Sequence, residues 1–168
     1  MLIDLLTPKE DKIYETRFDI ELLTQRLHSI AEWIKSESSV KDLPLGLFGA
    51  STGAASALRL AAWLGDGIYA VVSRGGRPDL VEDYLAQVTA PTLLIVGGDD
   101  NVVLELNRKA CEQLRTEKEL AIIPGATHLF EEPGALEAVA TKATEWFVSH
   151  LPSAREVRIV IHAQCNAR

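Results

Sequence analysis

Apolar positions along the 168-residue chain alternate between two patterns. Short, mostly apolar runs occur at Leu2–Leu6, Leu43–Phe48, Ile68–Val72, Thr92–Val96 and Leu120–Ile123. Between them, apolar residues recur every three or four positions, as one face of a helix requires. The first such face is Phe18, Leu22, Leu23, Leu27, Ile30, Ala31 and Ile34, and this helix is expected to end near Ser36. Thr16-Arg17-Phe18-Asp19 reads as a capping box at its start. An Ala- and Leu-rich helix is predicted from Thr52 to Leu64, stopped by Gly65-Asp66-Gly67. A short helix near Leu80, one from Leu104 to Leu114, and a final one marked by Leu136, Val139, Ala140, Ala143 and Phe147 complete the series. Strands that are apolar throughout are buried on both faces. The pattern therefore predicts an α/β fold of three layers, α/β/α, around a mostly parallel sheet. The tail Val157–His162 reads either as one more strand or as a poorly packed extension. The domain organisation is one unit over residues 1–151 with a C-terminal tail at 152–168.

Composition narrows the class. Hydrophobic residues make up 47% and charged residues 24%, the balance of a globular protein with a substantial core. A net charge of -7 argues against a nucleic-acid or anionic-membrane partner. No apolar run approaches the roughly 20 residues of a membrane span. The N-terminus has no basic segment, and Asp4 interrupts a short apolar run, so it does not read as a signal peptide. Cys111 and Cys165 match no metal or redox spacing, and a buried apolar role in a reducing compartment is the simple reading. The expected location is the cytoplasm.

The candidate chemistry sits where strands end. Gly49-Ala50-Ser51-Thr52-Gly53 closes an apolar strand and opens a helix. Gly-x-Ser-x-Gly arises by chance in about one chain in twenty of this size, so the motif alone is weak. Its strand–turn–helix context is what a nucleophilic serine needs, because a strained turn lifts the hydroxyl out of the sheet. The Thr52 amide, at the helix start, points where an oxyanion would form. A serine needs a base, and His128 lies in a loop directly after a strand, on the edge of a parallel sheet where Ser51 also lies. Asp99 and Asp100 follow the preceding strand, and either is placed to orient the imidazole. The competing readings are a turn serine, a structural loop histidine and turn or N-cap aspartates. Arg74 and Arg77 flank Gly75-Gly76 and are candidates for an anionic substrate group, with surface ion pairing as the simpler reading. His28, His150 and His162 read as solvated or structural.

These stretches resemble the dienelactone-hydrolase-like branch of the α/β-hydrolase superfamily. The resemblance is carried by Leu5-Leu6-Thr7-Pro8, Arg17-Phe18-Asp19-Ile20, Phe48–Ala55, Val72–Asp79, Ala90–Gly98 and Gly125–Gly134, and it reaches about Leu151. The chain order Ser51, Asp100, His128 is the order of α/β-hydrolases. The resemblance implies hydrolysis of a carboxylic ester or lactone, without cofactor or metal, by a Ser51–Asp100–His128 triad. It prefers Asp100 over Asp99 from the spacing after Gly98. An acyl transferase uses the same triad and is not separable from a hydrolase by sequence.

Two features depart from the family pattern. Dienelactone hydrolases proper use a cysteine where this chain has Ser51. The family also has further strands before the counterpart of Leu2–Leu6, one followed by a His-Gly-type loop that gives a second oxyanion amide. No such segment precedes Ser51 here. The resemblance thus implies an α/β-hydrolase fold lacking its first strands, as in a fragment or a reading frame begun at an internal methionine. Activity is then expected to be weak, and a non-catalytic remnant or accessory interaction domain is the alternative. The absent strand belongs between Leu2–Leu6 and Leu43–Phe48. Two outcomes are expected: Leu2–Leu6 slides across to pair, or the strand before Ser51 becomes an exposed edge open to self-association.

Overall fold

The structure is a computed structural model that describes residues 1–152 and the backbone of residues 159–164. Its centre is a six-stranded parallel sheet. The strands are β1 (Leu2–Asp4), β2 (Leu45–Ala50), β3 (Ala70–Arg74), β4 (Thr92–Gly97), β5 (Lys118–Ile123) and β6 (Ile159–Gln164). The helices are α1 (Ile20–Ser36), α2 (Thr52–Leu64), α3 (Glu82–Leu85), α4 (Asn101–Gln113) and α5 (Ala135–Ser149). Spatial order across the sheet is β1-β6-β2-β3-β4-β5.

The two faces are filled differently. Leu23, Leu27, Ala31 and Ile34 of α1 join Leu45 and Leu47 of β2, Leu58 and Leu60 of α2, Leu85 of α3 and Ala110 of α4 in one core. Leu23, Leu58 and Leu60 are wholly inaccessible, and burying each such side chain contributes roughly 1.5–3 kcal/mol. The opposite face is packed by α5, whose Val139, Ala143, Trp146 and Phe147 meet Phe48, Val72, Leu93 and Ile95. The helices thus lie on both faces of a sheet whose inner strands are apolar throughout, the layering that the sequence predicts.

Three local expectations change. Thr16 does not cap α1. Residues Glu15–Phe18 close into a tight turn held by Arg17, whose Nε donates to the Asp11 carbonyl at 2.6 Å. The helix begins after this turn, and the Asp19 carboxylate accepts from the Leu22 amide at 3.0 Å as its N-cap. Strand β3 runs on through Ser73 and Arg74, which stay in register with β2 and β4. Cys111 is half-buried against the core, a free thiol, while Cys165 lies outside the described residues.

The fate of the β1–β2 gap is the larger correction. Neither expected outcome occurs. The tail supplies β6, which pairs in parallel with β1 on one side and with β2 on the other. Gly46 and Val160 stand opposite each other, as do Leu2 and His162. The C-terminal segment fills this slot and pairs the backbone of β2, since an unpaired central strand leaves buried amides and carbonyls without partners. Strand β2 is therefore interior, and the sheet edges are β1 and β5.

Candidate active site

Ser51, the residue between β2 and α2, has φ 51° and ψ -120°. A side chain rarely occupies this region, and such strain is held only where neighbours fix it. Here the Ser51 amide donates to the Arg74 carbonyl at 3.1 Å, and the Ser51 carbonyl accepts from Ala54 at 3.1 Å and Arg77 at 3.2 Å. Gly49 permits the turn. A Cβ at that position would stand 2.5 Å from Ala54 Cα and from the Gly53 carbonyl oxygen, both backbone atoms that cannot yield. Thr52 begins α2, so its amide belongs to the positive end of a 13-residue helix.

The loops after β4 and β5 are drawn together by backbone bonds. The Gly98 amide donates to the Ile123 carbonyl at 2.8 Å, and Asp99 donates to Ala126 at 3.0 Å. Gly97 allows the approach, since a Cβ there would lie 2.3 Å from the Ala126 oxygen. Asp100 and His128 meet as a result. His128 Nδ1 and Asp100 Oδ2 are 2.7 Å apart, with the imidazole 36% and the carboxyl 15% exposed. The second Asp100 oxygen accepts from the Val103 amide as the N-cap of α4. Asp99 is exposed. In the tautomer that donates its Nδ1–H to Asp100, the imidazole of His128 keeps Nε2 as an acceptor.

Ser51 and His128 are brought to one sheet edge through the loop after β3. Ser51 bonds to Arg74, and a Cβ added at the next residue, Gly75, would lie 3.5 Å from the His128 ring. Among the described residues the Ser51 hydroxyl makes no hydrogen bond to His128. Catalytic hydrogen bonds in unliganded sites are often long and tighten only with substrate.

The loop that carries His128 is itself fixed. Phe130, fully buried with φ 57°, anchors it, and Thr127 Oγ1 donates to Glu132 Oε1 at 2.6 Å. That hydroxyl holds the Glu132 carboxyl below the usual carboxylate range. The two arginines part company. Arg77 is bound by Asp79 through hydrogen bonds of 2.8 and 2.7 Å, the ion-pairing reading. Arg74 has no such partner among the described residues.

Asn107 escapes a sequence reading. It is buried on α4, where its Nδ2 donates to the Gly76 carbonyl at 3.0 Å and to Val103 at 2.8 Å, tying the Gly75-Gly76 loop in place. The available signal was one amide among Val103, Leu104 and Ala110 on an otherwise apolar helix face. Among the described residues no group of His, Cys, Asp and Glu is placed to hold a metal ion, and no helix is long and apolar enough to cross a membrane.

Comparison with known proteins follows the same residues. A model of the dienelactone hydrolase family matches residues 7–151. The chain belongs to the dienelactone hydrolase family. A crystal structure of dienelactone hydrolase from Anabaena variabilis is 53% identical, with a TM-score of 0.82, covering 88% of this chain and 70% of that one. A monoacylglycerol lipase from Paleococcus ferrophilus, 21% identical over 78% of this chain and 76% of its own, shares the fold with a TM-score of 0.66. A protein of Mycobacterium tuberculosis with the name "Putative phosphoribosyl transferase" is 54% identical over 151 residues. That match takes in 90% of this chain, which spans about a third (34%) of the relative's length. Its family and its structural neighbours give this chain an α/β-hydrolase fold.

Proposed function

We propose that this chain hydrolyses carboxylic esters or lactones through a covalent intermediate on Ser51. The observation that carries the reading is the 2.7 Å His128–Asp100 contact on the same sheet edge as a strained, positive-φ serine. In this reading His128 Nε2 takes the Ser51 proton as Oγ attacks the ester carbonyl carbon. Asp100 keeps the imidazole in the required tautomer and stabilises its cationic form. The Thr52 amide and the start of α2 face the oxyanion. Collapse of the tetrahedral intermediate breaks the C–O bond, and His128 returns the proton to the leaving alcohol. Water then attacks the acyl-Ser51 ester by the same route. No cofactor enters, the substrate is a small molecule, and the site of action is the cytoplasm.

With Thr52 as the single assigned donor, turnover is expected to be low, since one missing oxyanion donor costs about 10²–10³ in rate. The test is p-nitrophenyl butyrate hydrolysis by the full chain. Native activity should fall to background in Ser51→Ala and by about 10⁴ in Asp100→Asn, a loss set by the wrong imidazole tautomer. A folded native chain with no hydrolysis above background would instead favour a non-catalytic, accessory role, and hydrolysis that survives Ser51→Ala would contradict a covalent step on Ser51. Partition of the acyl group to an added alcohol separates acyl transfer from hydrolysis.

The name of the M. tuberculosis relative raises phosphoribosyl transfer for proteins of that greater length. The serine, histidine and aspartate described above favour hydrolysis for the segment in common.

A further inference from the structure

Arg74 and Arg77 leave the same loop, yet their charges are met differently. Arg77 is neutralised by Asp79 in a two-pronged pair. The guanidinium of Arg74 stacks over Phe130, 5.6 Å from the ring centroid, and its Nε is buried without a hydrogen-bond partner. No carboxylate reaches it among the described residues. Burial lowers its pKa from the ordinary guanidinium value. An arginine nevertheless stays charged in a protein, so an uncompensated cation remains.

This cation lines a cavity of about 340 Å³. The remaining walls are apolar for the most part: Phe48 of β2, and Leu136, Val139, Ala143 and Phe147 of α5. The volume is at the small end of ligand pockets, which are typically apolar with a few placed polar groups. The cavity lies on the α5 face, where the helix flank meets β2 and β3. Ser51 and His128 are not among its walls.

Among the described residues one cation, Arg74, borders this aliphatic and aromatic chamber, which complements a monoanion with an apolar body. We propose that this cavity binds an aliphatic or aryl carboxylate, with the carboxylate on the Arg74 guanidinium and the apolar body between Phe48 and α5. Arg74 also accepts the Ser51 amide through its carbonyl, so the bound acid would lie next to the elbow without using its hydroxyl. The site stands independently of hydrolysis at Ser51.

Calorimetric titration of the full chain with sodium octanoate tests the site, with 1-octanol as a neutral probe of equal chain length. Neither probe has an ester, so the result does not depend on the hydrolytic reading. Octanoate should bind saturably and more tightly than octanol. Arg74→Gln should weaken octanoate by at least about tenfold, as loss of a charge-assisted bond requires, and leave octanol unchanged. Arg77→Gln should leave both unchanged. Ala140→Trp adds bulk to the cavity from an exposed position on α5 and should weaken both probes without altering the thermal unfolding of the chain. Absence of saturable octanoate binding, equal affinity for the two probes, or equal loss in Arg74→Gln and Arg77→Gln would overturn the proposal.

Discussion

The backbone of Ser51 makes a prediction that separates structure from chemistry. A non-glycine residue at φ 51°, ψ -120° stores about 1–3 kcal/mol, a strain that glycine does not suffer. Glycine is also more flexible when unfolded, which takes back roughly 0.5–1 kcal/mol. Ser51→Gly should thus be inactive and unfold a few degrees above Ser51→Ala, since about 1 kcal/mol moves the midpoint by roughly 2–4 °C at this size. Equal midpoints by scanning calorimetry would mean that the strain is relaxed elsewhere. Gly97 gives the converse case. An added methyl must push away the Ala126 carbonyl, and with it the loop that delivers His128 to Asp100. Gly97→Ala is expected to lose ester hydrolysis by at least about tenfold, the scale on which small misplacements of catalytic groups act. Asn107→Leu keeps volume but leaves the Gly76 carbonyl unpaired. It should cost about 1–3 kcal/mol in denaturant unfolding. The sequence pointed to Ser51, His128 and the Asp99–Asp100 pair because each follows a strand on one sheet edge, and the family resemblance preferred Asp100 of the two. It did not expose Asn107, whose role depends on a carbonyl 31 residues away in the chain.

At the scale of elements, the sheet strands and main helices were legible from periodicity, and the misplaced boundaries have physical causes. Polar residues read as a loop, yet Ser73 and Arg74 are held in the ladder by β2 and β4 because the carboxyl edge is where polar residues are needed. The start of α1 was read one turn early because Thr16 and Asp19 are both good caps, and only the Arg17–Asp11 anchor selects between them. The segment between β1 and α1 is tied to the helix by Glu10, whose carboxylate receives two hydrogen bonds from Arg26 at 2.9 and 2.7 Å. This pair, with help from Thr7, holds the Glu10 carboxyl far below its ordinary value of 4.5. A depressed folded pKa means stability that is present above the unfolded pKa and lost as pH falls toward the folded one. Glu10→Gln should therefore lower the unfolding temperature at pH 7, and the gap from the native chain should narrow as pH drops below about 4.5. A gap that is unchanged in acid would remove the charge from the explanation.

For the whole molecule, the decisive feature is the placement of β6. Local pattern could mark Val157–His162 as extended, but not say which strands it joins. That choice is made by the need to pair the backbone of β2 along both edges, a non-local demand. Among the described residues, the order β1-β6-β2-β3-β4-β5 makes β6 the strand that joins β1 to those around the elbow. Val160→Pro removes an amide from an interior ladder and should open that side of β2. The expected signs are faster hydrogen exchange at Leu45–Gly49 and concentration-dependent association through the freed edge. Unchanged exchange at those amides would place β6 elsewhere. The elbow is built on β2, so the same geometry bears on whether the site assembles at all.

The most direct test of the central claim is labelling of the folded full chain with a fluorophosphonate, located by mass spectrometry. The expected result is a single adduct on Ser51 that disappears on heat denaturation and is strongly reduced in His128→Ala. A chain that is folded by circular dichroism yet carries no adduct on Ser51 would contradict it, leaving an elbow whose geometry is present without an activated serine.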